Sequence, residues 1–489
     1  MNDCYLPHAS LLTDLYQLTM SYGYFHSGMA QRRSVFQLSF RRCPFGGEYA
    51  IAAGLGSALD WVEHFGFGRD EIAYLRTLTG ANARPLFSED FLRFLGSARC
   101  ECDIDAVPEG TAVFPHEPLV RVSGPLWQCQ LMETALLNII NFQTLIATKA
   151  SRVCRAAEGE PVLEFGLRRA QGPDGGLSAT RAAMIGGCAA TSNVLAGKIL
   201  DVPVKGTHAH SWVMAFPDEQ TAFQKYADAM PNNCVFLVDT YDTLRGVEQA
   251  AKIGVKLNEK GHSLVGVRLD SGDFVSLSQE ARHILDEHGL TGAAIVGSND
   301  LDEYEIVRLK QQGAKIDTWG VGTRLITGYD QPALGGVYKL AAIEDENGVL
   351  QPKMKLSNEP AKSSIPGALQ IRRFSQGAKH IGDVLYDTRL ATTDLASGTD
   401  LATGRTITMT GVGHDLLIPF VENGSRLHDN DAVMEIRKRT LREISRLPDD
   451  CLRFEDPVRY PVALETNLQQ QRINLMTAHQ SNILQTEKP

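Results

Sequence analysis

Apolar and polar positions follow three successive rhythms along this chain. At the start, Leu11, Leu15 and Leu18 keep helical spacing, and Ser10 or Thr13 is positioned to cap that helix. Val35 to Phe40 then reads as a strand, ended by Cys43-Pro44-Phe45-Gly46-Gly47. Short helices are predicted over 57–65, 69–78 and 88–95, followed by turn-punctuated β structure over 102–107, 111–114 and 119–122. Residues 1–127 are therefore expected to form the N-terminal part of an α+β domain. A long helix is expected over 128–157, with Leu131, Ala135, Ile139, Phe142 and Ile146 along one side, and Gly159 and Pro161 end it.

The second rhythm consists of short, continuous apolar runs that close on glycine or polar residues. They fall at 161–165, 202–205, 234–239, 264–268, 293–297, 315–320 and 336–340, with helical stretches in several of the gaps. Continuous apolar strands are buried on both faces, as in a parallel sheet. Repeated β-then-α units give an open doubly wound sheet or a closed barrel. Seven such runs with polar strand ends favour an α/β barrel over 128–351, in which chemistry sits at the strand C-termini. Over 352–489 the rhythm is lost. Residues 353–357 and 369–374 read as strands, and 431–446 and 465–479 as amphipathic helices. This last part is expected to pack back onto the N-terminal one, leaving the barrel as an insertion.

Composition narrows the class. At 489 residues the chain exceeds a typical single core, and 43% hydrophobic with 22% charged residues is an ordinary globular balance. A net charge of −10 argues against non-specific nucleic-acid binding. No apolar run approaches the roughly 20 residues of a membrane span, and Met1-Asn2-Asp3-Cys4 lacks the pattern of a signal peptide. The nine cysteines are scattered, and the closest pair, Cys100 and Cys102, has no matching second pair, which disfavours zinc. Thiols in a reducing cytoplasm are the better reading.

Candidate chemistry gathers at the expected strand ends. Lys205-Gly206-Thr207-His208-Ala209-His210 carries two histidines that can serve as nucleophile, acid/base, metal ligand or satisfied structural groups. A metal site would need a third ligand in a recognisable pattern, and none is present. Glu164-Phe165-Gly166-Leu167-Arg168-Arg169 suits a planar or multiply charged anion, or is a solvated turn. After it, Asp174 to Arg181 reads as a glycine-rich loop entering a helix. Arg268-Leu269-Asp270-Ser271-Gly272-Asp273 could hold Mg²⁺, sugar hydroxyls or phosphate, or simply cap a helix. Val296 to Asp300 and Trp319 to Arg324 are a candidate phosphate-binding pair. Asp239 is a candidate metal or sugar contact, or a helix cap.

Taken together, Leu12 to Met20, Glu164-Phe165-Gly166-x-Arg168-Arg169, Ala190 to Val194, Gly206-Thr207-x-Ala209-His210, Arg268-x-Asp270-Ser271-Gly272-Asp273 and Gly320 to Thr323 resemble the nicotinate phosphoribosyltransferase family, in its order. The resemblance implies an irregular TIM-like α/β barrel plus an α+β domain built from both chain termini. It implies a homodimer with shared active sites, and a reaction of nicotinate with 5-phosphoribosyl 1-diphosphate giving nicotinate mononucleotide and diphosphate. ATP is implied as co-substrate through a transient phosphohistidine, and Mg²⁺ as cofactor, with no residue assigned to the metal.

Carried over residue by residue, His210 matches the phosphorylated histidine, and Asp270 and Arg268 complete the catalytic set. Tyr16, from the partner subunit, and Phe165 match the aromatic pair around the pyridine ring. Thr207 and Arg268 match nicotinate contacts, Arg168 and Thr323 match phosphoribosyl-diphosphate contacts, and Gly297 and Gly322 lie at the ribose-phosphate end. Ser192, or Asn193 if the alignment slips by one, stands where the related nicotinamide enzyme carries an aspartate. That favours nicotinate over nicotinamide, since a carboxylate would repel it. A quinolinate enzyme, a catalytically silent sugar-phosphate sensor and an aldolase using Lys205 or Lys339 are the weaker alternatives.

Overall fold

The computed structural model describes residues 6–356, 363–390 and 394–486. Met1 to Cys4, and Ser357 at the end of the strand expected over 353–357, lie outside the described residues. Contacts group the chain into two compact units. One comprises Met1–Leu145, Ala333–Asp431 and Arg439–Pro489, the other Ile146–Pro332 with Ala432–Lys438.

The first unit contains a seven-stranded sheet in the order Leu350–Pro352, Val337–Glu344, Arg33–Ser39, Val120–Pro125, Asp103–Ala106, Ile418–Glu422, Ser425–Arg426. Early, middle and late chain segments thus share one sheet. The run at 336–340, expected as a seventh strand of the parallel set, belongs here instead: Val337–Glu344 pairs antiparallel with Arg33–Ser39. Tyr338 decides this, since its ring stacks on Phe36 at 5.1 Å and its hydroxyl donates to the Cys129 carbonyl at 2.8 Å. The strand expected over 353–357 is also displaced, to Leu350–Pro352.

The first helix, Leu15–His26, starts after Asp14 rather than Ser10 or Thr13. Leu11 ends a separate 3-10 turn, and Leu15 is 52% exposed while Leu18 is buried. The expected Leu11/Leu15/Leu18 face is therefore not the buried one. The helix expected over 128–157 is broken at Met132 into Leu126–Leu131 and Glu133–Ala156.

The second unit is built on six parallel strands, numbered here β1 (Val162–Glu164), β2 (Ala190–Thr191), β3 (Val235–Leu237), β4 (Gly266–Leu269), β5 (Ala294–Ser298) and β6 (Thr318–Val321). Their spatial order is β2-β1-β6-β5-β4-β3, a curled half-barrel sheet. Val267, Leu269, Ile295, Trp319 and Val321 are all fully buried, as the continuous apolar runs require. The run at 202–205 adds only a single bridge, Thr191 to Val204. Pro203 has no N–H to give to a ladder, although its carbonyl accepts from Thr191 N–H at 3.0 Å.

Two helices of this unit matter for the site: α1 (Gly172–Gly186), which absorbs the glycine-rich stretch expected as a loop, and α2 (Val194–Leu200). Gly176 is needed inside α1 because a Cβ there would come within 2.7 Å of the Leu167 side chain.

Candidate active site

The geometry begins with strand alternation. On β4, Val267 and Leu269 point into the core with no exposure, so Arg268 and Asp270 share the opposite side. Gly266 lets β4 approach β5, since a Cβ there would lie 2.4 Å from the Ala294 carbonyl oxygen. The parallel register pairs Val296 with Arg268 and Gly297 with Leu269, which brings Ser298 beside Asp270.

The guanidinium of Arg268 is fixed on three sides. Its Nε–H donates to Ser298 Oγ at 2.7 Å, Nη1 donates to Thr207 Oγ1 at 3.0 Å, and Nη2 donates to Asp270 Oδ1 at 2.8 Å. Ser298 Oγ–H donates in turn to the same Asp270 oxygen. The Phe165 ring lies against the guanidinium, 5.4 Å from Cζ to centroid, within cation–π range. Asp270 is anchored from behind, because Asp239 Oδ2 accepts from the Asp270 N–H at 3.1 Å and from Ser271 Oγ–H at 2.6 Å. Asp239 Oδ1 is buried and without a hydrogen-bond partner among the described residues.

The two histidines separate clearly. His210 opens the short helix His210–Met214 and stays 42% exposed. Its Nδ1 is 3.1 Å from Thr240 Oγ1, and its Nε2 is 4.0 Å from Asp270 Oδ2. His208 is buried among Phe223, Tyr226 and Phe236, and its Nε2 accepts from the Leu237 N–H at 3.3 Å. Burial pushes the His208 imidazole down to about 4, with the nearby Arg268 and His210 charges acting in the same direction.

That depression has a consequence for stability. Above the ordinary value of 6.5, His208 is neutral in both the folded and the unfolded chain. Between there and about 4, the unfolded chain binds a proton that the folded chain refuses. Stability therefore falls as the pH drops through this window, by up to about 1.4 kcal/mol per pH unit. Thermal denaturation of His208→Gln is expected to show a shallower loss of midpoint from pH 6.5 to 4.5 than the parent chain, and an equal slope would refute this origin.

The β1 end forms the neighbouring wall. Phe165 N–H donates to the Val321 carbonyl at 2.8 Å, which sets the Phe165 ring over Gly320, where a Cβ would come within 2.7 Å of the ring. Ser192 is half-buried, and its N–H donates to the Glu164 carbonyl at 3.0 Å. Its hydroxyl has no partner among the described residues. Asn193, the other alignment choice, is occupied: its side chain caps α2 through Ala196 N–H at 3.1 Å and donates to Thr180 at 3.3 Å. Arg168 is exposed, with no ion pair among the described residues.

Other sequence-derived positions lie differently. The open side of Gly297 faces Ile316, 2.8 Å from a would-be Cβ, so any ligand contact there is through backbone. Gly322 precedes the short helix Thr323–Ile326 and borders the Phe165 carbonyl, while Thr323 is half-buried. Tyr16 belongs to the first unit and is 47% exposed. Ser298, Thr240 and Glu164 join the site without a role legible for them in the sequence. Ser298 could have been found from strand alternation, as the residue facing away from the Gly297 side. Among the described residues there is no group of three or more metal-ligating side chains and no helix long and apolar enough to cross a membrane.

An arginine, carboxylates, hydroxyls and a histidine at the C-terminal ends of parallel strands are placed as in α/β enzymes and suit an anionic ligand. The chain belongs to the nicotinate phosphoribosyltransferase family. The family's N-terminal domain matches residues 11–141, its central family region 161–381 and its C-terminal domain 399–472. The nicotinate phosphoribosyltransferase of Bacillus subtilis is 42% identical over 93% of this chain and 92% of its own length. The Homo sapiens protein of that name is 35% identical over 96% and 97%. A crystal structure of human nicotinic acid phosphoribosyltransferase superposes with a TM-score of 0.81 at 31% identity, covering 95% of this chain and 99% of that one. The fold is also shared by a nicotinate-nucleotide pyrophosphorylase from Pyrococcus furiosus, with a TM-score of 0.70 at 22% identity, over 91% and 97%.

Proposed function

We propose that this chain is an ATP-coupled nicotinate phosphoribosyltransferase of NAD salvage, joining nicotinate to 5-phosphoribosyl 1-diphosphate to give nicotinate mononucleotide and diphosphate. The observation that carries the reading is Arg268. A guanidinium has five N–H donors. Three are engaged by Ser298, Thr207 and Asp270, which leaves one on each terminal nitrogen. Such an end can grip a planar carboxylate through two parallel bonds, next to the Phe165 ring on which a pyridine can stack. Ser192, with a hydroxyl and no carboxylate, supports nicotinate over nicotinamide.

In this reading ATP phosphorylates His210, and hydrolysis of the phosphohistidine is coupled to nucleotide formation. The half-exposed ring, one nitrogen held by Thr240 and the other near Asp270, supports that role. Arg168 and Thr323 would contact the diphosphate and phosphate, with backbone at Gly297 and Gly322 close to the ribose phosphate. Asp239 Oδ1, buried without a partner among the described residues, and Asp270 are hard oxygen donors that suit Mg²⁺, which typically takes one or two carboxylates plus substrate phosphates. When bound, Mg²⁺ would neutralise the departing diphosphate. This chain's own residues orient the base and neutralise charge at the anomeric centre.

A cytoplasmic homodimer with shared active sites, Tyr16 coming from the partner, completes the reading. It is supported by apolar side chains left on the surface of each unit: Leu15, Tyr16 and Met20 on one helix, and Val194, Leu195 and Ile199 on α2. The parallel sheet then forms the core of an irregular TIM-like barrel within 128–351, and residues 1–127 and 352–489 form the α+β domain.

Mixing the purified chain with nicotinate, phosphoribosyl diphosphate and Mg²⁺ should release diphosphate, faster with ATP; no release with or without ATP would end the proposal. Gly320→Ala should push the Phe165 ring aside and lower kcat/KM for nicotinate by about tenfold or more. Unchanged steady-state kinetics would mean the ring does not support the base.

A further inference from the structure

Glu164 ends β1 with no solvent exposure, yet no lysine or arginine pairs with it among the described residues. Its carboxylate is held only by neutral donors from three separate segments. The Gly166 N–H donates from the turn that carries Phe165 and Arg168. Thr191 Oγ–H donates from β2 at 2.6 Å, and Thr180 Oγ–H from α1 lies 3.0 Å away, its one proton shared with the Gly176 carbonyl at 2.8 Å. The two threonines extend the network, since Thr191 Oγ1 accepts from Asn193 N–H at 3.0 Å and Thr180 Oγ1 from the Asn193 side chain at 3.3 Å. The Glu164 main chain adds a fourth tie, accepting from Ser192 N–H at 3.0 Å.

An unpaired buried carboxylate is costly to desolvate, and the apolar or amide residues that would avoid this cost cannot make the same connections. A carboxylate has two oxygens and about four acceptor sites. A glutamine would offer one acceptor oxygen: accepting from Gly166 N–H would turn its NH₂ toward the Thr191 and Thr180 hydroxyls, which would have to rotate from donating to accepting and so give up their present bonds to the side chain. Gly166 cannot shift to compensate, because its open side already meets Ile326 Cβ at 2.4 Å from a would-be Cβ.

We propose that Glu164 is a positioning residue that sets the separation of the Phe165 ring from Ser192, and with it the fit and selectivity for the pyridine base. The inference rests on the nicotinate reading of the site. The carboxylate itself does not touch substrate.

The test is steady-state kinetics of Glu164→Gln, Thr191→Val and the double variant, with nicotinate and nicotinamide, alongside thermal midpoints. Glu164→Gln should raise the nicotinate KM by about tenfold, with kcat within about threefold, and narrow the preference for nicotinate over nicotinamide. Thr191→Val should do the same in part, and the double variant should fall short of the product of the singles, as for residues of one network. A lower thermal midpoint with unchanged KM and unchanged base preference would overturn the proposal. If Glu164→Gln does not fold, Thr191→Val alone decides it on the same two readouts. A parent chain that makes no nicotinate mononucleotide would instead remove the reading of the site, and this inference with it.

Discussion

Replacement of His210 by alanine is expected to abolish labelling of the protein by ATP carrying a labelled γ-phosphate, and to remove the gain in product that ATP gives. His210 is the histidine of the pair that solvent and ligands can reach; Thr240 Oγ1 holds its Nδ1 at 3.1 Å, and Asp270 Oδ2 lies 4.0 Å from its Nε2. The hydrogen bonds that join Arg268 to Ser298, Thr207 and Asp270 are made without the imidazole. The variant should therefore keep ATP-independent transfer while losing the coupled part. A phosphorylated His210 would add negative charge close to Arg268 and Asp270, where it can favour one arrangement of those side chains. His208→Ala is the control: it removes a buried core ring and should lower the thermal midpoint, but the label should remain on His210. Labelling retained in the His210 variant would remove this histidine from the mechanism.

Replacement of Arg268 by lysine is expected to lower kcat/KM for nicotinate by about 10²- to 10³-fold, the range for losing a largely desolvated, hydrogen-bonded charge contact. Lysine keeps the positive charge but is a point donor on a flexible stem, with no planar fork. It cannot satisfy Ser298, Thr207 and Asp270 together and still offer two parallel N–H groups to a carboxylate. Asp270 would lose its 2.8 Å partner, and the Phe165 ring would lose the flat cation beside it. Nicotinamide, which has no carboxylate, should show a much smaller change, so the discrimination between the two bases should shrink. Steady-state kinetics with both bases measures this, and a loss below about tenfold for nicotinate would contradict the assigned role of the guanidinium.

What could be read from the sequence follows from physical constraints that act locally. The runs at 234–239, 264–268, 293–297 and 315–320 became parallel strands because strands buried on both faces must be apolar throughout. The run at 202–205 is also rich in valine, but Pro203 denies it a ladder. The run at 336–340 looks the same again, and only its distant partners, Phe36 and the Cys129 carbonyl, assign it to the antiparallel sheet. Sequence separation hides such partners. The site shows the same division. Arg268 and Asp270 were readable as i and i+2 on one strand, whereas Ser298 joins them only through the register of β4 and β5. As bare residues His208 and His210 are alike; the family motif points to His210, and burial of His208 against Phe223, Tyr226 and Phe236 is what sets the two apart physically. Glu164 lies inside the Glu164-to-Arg169 motif, but its importance is visible only in the structure, where Thr180 and Thr191 converge on it from other segments.

The most direct test of the central claim is the amount of mononucleotide formed from ring-labelled nicotinate and from ring-labelled nicotinamide, each at equal concentration with phosphoribosyl diphosphate, Mg²⁺ and ATP. The site described here predicts one nicotinate mononucleotide per diphosphate released, and at least about a hundredfold preference for nicotinate over nicotinamide, the contrast expected when a buried fork meets a carboxylate or an amide. Equal use of the two bases, or diphosphate release without labelled nucleotide, would contradict it.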